Sequence, residues 1–114
     1  MKEVKAYVRI VGIDNLIESL EKAGAKDITI TRVDALGDLA DFEFDRWHVI
    51  RRYSETYFKV AKIEIVCTDE QAGTLMRIIK EKAHTGERGD GRVFITNVEK
   101  AVNIRTGQEG QAAL

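Results

Sequence analysis

Ala61-Lys62-Ile63-Glu64-Ile65-Val66-Cys67-Thr68-Asp69-Glu70-Gln71-Ala72 is the stretch in which the hydrophobic period of the chain changes. Up to Cys67, apolar residues recur at every second position (Ala61, Ile63, Ile65, Cys67), as in a strand with one buried face. Beyond Thr68, the apolar residues Ala72, Leu75, Met76, Ile79 and Ala83 recur at helical spacing, so a strand that resumes near Tyr57 passes directly into a helix. Thr68 with Gln71 three positions later has the spacing of a capping box, which places the junction. Cys67 is the only cysteine and lies in the apolar strand run. It reads as an inert core thiol, because a reactive cysteine needs an exposed, electropositive setting.

Working outward, Val4, Ala6, Val8 and Ile10 alternate with Lys5, Tyr7 and Arg9 and predict a first strand. Asp14 is the expected N-cap of a helix from about Asn15 to Ala23, with Leu16, Ile17, Leu20 and Ala23 at helical spacing and Gly24 ending it. Ile28 and Ile30 among threonines predict a second strand through about Val33. From Asp34 to Thr56 neither period is sustained, and a loop of that length inside a compact domain is commonly functional. After the polar segment from Thr85 to Gly91, Val93, Phe94 and Ile95 begin a fourth strand, with further short extended pieces expected at Val98, Ala101, Val102 and Ile104. The order βαββαβ is the ferredoxin-like α+β pattern, a four-stranded antiparallel sheet with both helices on one face. All 114 residues are expected to form one domain. With no helix left to cover the other sheet face, self-association through that face is expected.

Eighteen basic and nineteen acidic residues leave a net charge of -1, so nothing draws the chain to nucleic acid or anionic lipid, and any anion site must be local. Neither a signal-peptide core nor a run of about 20 apolar residues is present, and a cytoplasmic protein is the expectation. His48 and His84 lack ligand spacing, so no metal site is expected.

Two segments carry binding chemistry. Thr85-Gly86-Glu87-Arg88-Gly89-Asp90-Gly91-Arg92 puts three glycines within seven positions between a helix and a strand. Close backbone approach would let amide N–H groups converge on one anion, with Arg88 and Arg92 adding charge. The alternative is a helix C-cap followed by an Asp-Gly turn. Asn103-Ile104-Arg105-Thr106-Gly107 puts a second cation, Arg105, near the end of the chain. Neither segment has Walker or dinucleotide spacing.

The string from His84 to Phe94 resembles the B-loop signature of the PII signal-transduction family, approximately T-G-x-x-G-D-G-K-I-F. Lys62-Ile63-Glu64-Ile65-Val66 is similar to that family's K-I-E-I-V strand, and Val102 to Gly107 is similar to its closing I-R-I-R-T-G-E. The resemblance implies a homotrimer with an adenine nucleotide (ADP, AMP or ATP) in each intersubunit cleft and no required metal. By position, Ile28, Thr29, Glu64 and Val66 would line the adenine and ribose region, Gly37 would face the ligand from the loop base, Gly89, Asp90, Gly91 and Arg92 would hold the phosphates, and Arg105 would add charge. It further implies a long T-loop at about 37–56, a B-loop at about 84–92 and a C-terminal loop at about 103–114.

The departures are as informative. Where oxoglutarate-sensing members have a glutamine, this chain has Asp38-Leu39; where they have a lysine ahead of the K-I-E-I-V strand it has Val60; Asn103 replaces a closing-motif arginine, and Arg92 replaces the B-loop lysine. The uridylylated tyrosine sequence has no counterpart in 40–56. These weigh against 2-oxoglutarate coupling, uridylylation and a preference for triphosphate. Phe42, Phe44, Arg46, Trp47, Arg51, Arg52 and Tyr53 bring aromatic and arginine residues, the types enriched at interface hot spots, to the long loop. That loop is therefore expected to bind a partner transporter or enzyme, with membrane association only through a transporter. The reading is a nucleotide-responsive regulator, not an enzyme; the alternatives are a slow nucleotide hydrolase and a bicarbonate- or metal-responsive relative.

Overall fold

Strand β1, Lys2–Arg9, turns Val4, Ala6 and Val8 to one side, where all three are buried. A computed structural model describes residues 1–35 and 58–114 of the chain. After β1 come helix α1 (Ile13–Lys22), β2 (Ile28–Ala35), β3 (Phe58–Cys67), α2 (Asp69–Ala83) and β4 (Arg92–Asn97), with a short 3-10 turn at Gly110–Ala113. The sheet order is β2-β3-β1-β4, and every adjacent pair is antiparallel. This is the expected ferredoxin-like α+β arrangement. Leu16 and Leu20 of α1 and Ala72, Leu75 and Ile79 of α2 close over Ala61, Ile63, Ile65 and Cys67 of β3 in one apolar core. Each large side chain buried there contributes roughly 1.5–3 kcal/mol. Burial pushes the Cys67 thiol pKa up, as befits an inert core thiol.

The α2 capping box forms as read: Thr68 Oγ1 accepts from the Gln71 N–H at 3.3 Å, and the Thr68 N–H donates to Gln71 Oε1 at 3.2 Å. Gln71 also donates to the Gly24 carbonyl at 3.4 Å, tying the start of α2 to the end of α1.

Three local expectations are corrected. The N-cap of α1 is Gly12, not Asp14, which lies in the first turn. The chain leaves β1 by a turn in which the Ile13 N–H reaches the Ile10 carbonyl (3.1 Å), with φ of 82° at Gly12, so the helix begins at Ile13, ahead of the expected Asn15. Asp14 instead sits where the helix dipole favours a negative charge. Strand β2 runs past Val33 to Ala35, because Asp34 and Ala35 pair with Lys59 and Phe58. Near the C-terminus, Val102 bridges Glu109, whereas Ile104 stands in the intervening turn, 97% exposed.

The helix-free sheet face is mixed, not simply apolar. In register across it lie Thr31, Lys62, Tyr7 and Arg92, and one row along Thr29, Glu64, Lys5 and Phe94. Lys62 pairs with Glu64 at 3.2 Å, and the Tyr7 and Phe94 rings meet edge to face at 6.4 Å. A small second cluster buries Val60 and Ala35 against Tyr7 and Val33. No helix among the described residues is long and apolar enough to cross a membrane.

Thr68→Ala removes the acceptor of the capping box, and its expected cost is about 1 kcal/mol of stability. Urea denaturation followed by circular dichroism measures it as a lowered midpoint.

Candidate functional site: the loop between α2 and β4

Helix α2 ends at Ala83, and His84 is already extended, so the chain from Thr85 to Gly91 must find its own hydrogen-bond partners before β4 begins. It folds around Asp90. The Asp90 carboxylate accepts the Thr85 N–H at 2.8 Å, the Gly86 N–H at 2.9 Å and the Thr85 hydroxyl, while the Glu87 N–H donates to Thr85 Oγ1 at 3.0 Å. The amides at the start of the loop therefore already hold an anion, and it is the chain's own carboxylate. Neither a simple helix cap nor an open cradle describes the whole segment. Its first half is a closed ring, and what remains for an external anion is the second half, Gly89 to Arg92.

Two further side chains face Asp90: the Arg9 guanidinium, with Nε 3.5 Å from Oδ1, and the His84 imidazole, with Nδ1 3.7 Å from Oδ2. Partial burial pushes the Asp90 pKa up, but the hydrogen bonds from Thr85 and Gly86 and the charge of Arg9 outweigh it and hold it at about 2. Arg9 also donates to the Arg88 carbonyl.

At its C-terminal end the loop is pressed onto β1. Gly91 has φ of 102°, and a Cβ there would lie 1.7 Å from the Tyr7 carbonyl oxygen. Only glycine fits. Beside the loop is a cavity of about 320 Å³ whose walls include Lys80, His84, Asp90, Arg92 and Phe94.

The other expected ligand residues fall into separate groups. Thr29 and Glu64 are register partners on the helix-free face, and Val66 follows two positions along the same face. Ile28 pairs with Ile65 and packs against the main core, so its side chain points away from the other three. From β4 to β2 is three strand spacings, about 14 Å, which separates Arg92 from Thr29 within one chain. Arg105 sits in the turn after Asn103, whose Oδ1 accepts the N–H of Arg105 at 3.0 Å and of Thr106 at 3.1 Å. Gly37 and the expected partner-binding residues Phe42, Phe44, Arg46, Trp47, Arg51, Arg52 and Tyr53 lie outside the described residues. Among the described residues no cluster of three or more His, Cys, Asp or Glu side chains is placed to hold a metal.

The sequence reading missed Arg9 and the ring-forming part of Thr85. Arg9 shares a face with Lys5 and Tyr7 in the strand alternation, but its loop partner is 79 positions away and becomes visible only once β1 and β4 are known to be neighbours.

The family model described as "Nitrogen regulatory protein P-II" matches residues 1–108 of the chain. The chain belongs to that family. Over its full length it is 37% identical to "Nitrogen regulatory protein P-II 2" of Methanothermobacter thermautotrophicus, covering 97% of that protein. It is 35% identical to "Nitrogen regulatory protein P-II" of Pasteurella multocida and 32% identical to that of Rhizobium meliloti, each covered completely.

Two outcomes follow from the loop. Gly91→Ala is expected to cost several kcal/mol, since both the φ and the Tyr7 carbonyl oppose it, whereas Gly107→Ala, with φ of 76° but open space around it, costs only about 1 kcal/mol; thermal melts compare them. The folded-state pKa of Asp90 lies below the ordinary carboxylate value, so its contribution is fully present above about pH 4 and is lost as pH falls through about 2. Acid titration of the Thr85 and Gly86 amide resonances should follow that midpoint, and Asp90→Asn should remove the transition.

Proposed function

We propose that this chain is a regulatory protein that binds an adenine nucleotide in clefts between the subunits of a homotrimer and passes the ligand state to a transporter or enzyme through the loop at about 37–56. The observation that carries the reading is the loop folded around Asp90, which holds Gly89, Gly91 and Arg92 in a fixed backbone beside a cavity. A phosphate needs such a preformed anion site, because ordering a loop at the moment of binding costs affinity. Thr29, three strands from β4, and Glu64 and Val66, two strands from it, lie on an open sheet face and supply a second half-site for the adenine and ribose, with Ile28 contributing backbone alone. Contribution of the two halves by neighbouring chains accounts for both the separation and the exposed Phe94 on that face. No step of this function requires the protein to make or break a covalent bond.

ADP and AMP are held at least as well as ATP, and 2-oxoglutarate does not strengthen binding. Val60 is buried with Ala35 against Tyr7 and Val33, so that position brings no charge to a carboxylate. Leu39 offers no oxygen to magnesium. Asn103 shapes the turn that carries Arg105 but brings no charge, and a charge-assisted hydrogen bond that is missing costs about 1.5–3 kcal/mol, enough to cancel a tenfold preference for an extra phosphate.

Calorimetry with AMP, ADP and ATP, each with and without magnesium and 2-oxoglutarate, is the test. The expected result is one nucleotide per chain, similar affinity for ADP and ATP, and no effect of 2-oxoglutarate. ATP binding strengthened by 2-oxoglutarate would refute the argument from Val60 and Leu39, and no binding of any adenine nucleotide would remove the nucleotide reading.

A further inference from the structure

The end of β1 makes contact with three consecutive residues of the loop through one side chain. The Arg9 guanidinium donates to the Arg88 carbonyl, lies under Gly89 so closely that a Cβ there would stand 3.1 Å from Nη2 and 3.3 Å from Cζ, and faces the Asp90 carboxylate at 3.5 Å. Asp90 in turn holds the amides of Thr85 and Gly86. We infer that Arg9 is a positioning residue, a strut from the sheet that sets the conformation of the Thr85–Gly91 loop before any ligand arrives and thereby sets its affinity for phosphate. The inference rests on the nucleotide reading for its consequence in binding, but the strut itself is a property of the ligand-free chain.

The geometry explains why this is more than a surface ion pair. An exposed Lys or Arg bridging to one carboxylate loses in side-chain entropy much of what it gains in charge attraction. Arg9 and Asp90 are both less than a third exposed, and Arg9 is anchored at its base opposite Val60 of β3, two residues beyond Tyr7, where β1 pairs with Arg92 of β4. A planar guanidinium presents several donors at once, so it satisfies the Arg88 carbonyl and the Asp90 carboxylate together while its flat face passes beneath a residue with no side chain. Lysine has a point charge in place of that fork. It retains attraction to Asp90 and loses the simultaneous hold on the Arg88 carbonyl. His84 approaches the same carboxylate from the end of α2, but it is 71% exposed and follows the helix, whereas Arg9 fixes the loop to the sheet.

The test uses the full-length protein carrying Arg9→Met, Arg9→Lys, Asp90→Asn or the Arg9→Met/Asp90→Asn pair. Two readouts are taken: amide hydrogen exchange without ligand, and affinity for ATP and for adenosine. Arg9→Met is expected to speed exchange at Thr85 and Gly86 about tenfold, the equivalent of losing one charge-assisted hydrogen bond, with the β3 amides unchanged as evidence that the fold is intact. ATP affinity should fall by about the same factor and adenosine affinity should not move, with Arg9→Lys recovering part of both effects. In the Asp90→Asn background, Arg9→Met should add little to the exchange rate, because its main partner is already altered. Unchanged exchange at Thr85 and Gly86 in Arg9→Met overturns the inference, as does weaker ATP binding with an unaltered loop, which would make Arg9 a direct ligand. If the wild type binds no adenine nucleotide, the nucleotide reading fails while the exchange data still decide whether Arg9 is the strut.

Discussion

The contact between Gly91 and the Tyr7 carbonyl fixes how the last strand can join the sheet. A Cβ at 91 would stand 1.7 Å from that oxygen, so the chain enters β4 along a path available only to a residue without a side chain. Once there, Arg92 falls opposite Tyr7, and the register of all six residues of β4 follows. Side-chain direction follows from register, since successive residues of a strand alternate faces. Val93 and Ile95 are turned into the core and Arg92 and Phe94 onto the helix-free face. The position of the glycine loop is thus a consequence of sheet geometry, and the direction of Arg92 is set by the same contact.

Within that frame, a carboxylate does the work that an external anion does in other glycine-rich loops. Backbone N–H groups that converge need a negative partner, and in an empty site they would have to be met by water. Asp90 meets two of them permanently. The loop is therefore ordered by contacts made within the chain itself. The Arg9 guanidinium beside the carboxylate balances its charge, which makes Asp90 a structural element of the loop.

Much of the fold was legible because two periods alternate cleanly. The strand-to-helix switch at Thr68, its capping box and the buried positions of β1 and β3 all follow from spacing, and the structure has them at those residues. What escaped was set by non-local geometry. The early start of α1 depends on a turn at Gly12 that a propensity for aspartate caps does not contain. The extension of β2 to Ala35 depends on pairing with β3 across more than twenty intervening residues. The glycine loop was recognisable as a backbone site from its composition, and Asp90 was placed in it, but its role as the internal anion was not, because an Asp-Gly pair reads equally well as a turn. Ile28 stands at a position implied by resemblance, and alternation with Thr29 turns its side chain to the core, so that only its backbone is left to face the other side.

Asn103 shows how a loss of charge and a gain of order can be the same substitution. Its side-chain oxygen accepts two consecutive N–H groups, its own N–H reaches the Gln108 carbonyl at 2.8 Å, and the Gly107 N–H returns to its carbonyl at 2.7 Å. Asparagine is suited to this, since its short side chain reproduces a turn's backbone hydrogen bonds, whereas a long cationic side chain does not. The turn that presents Arg105 is held by residue 103 instead of being supplemented by its charge. One cation in a fixed turn, set against two in a looser one, favours a ligand recognised by geometry over one recognised by total negative charge. The buried Val60 acts in the same direction, replacing a charge-bearing position with an apolar contact to Tyr7 and Val33. Under the proposed nucleotide reading, the two positions together lower the charge offered to a ligand, and a nucleotide with fewer phosphates is the one that such a change favours.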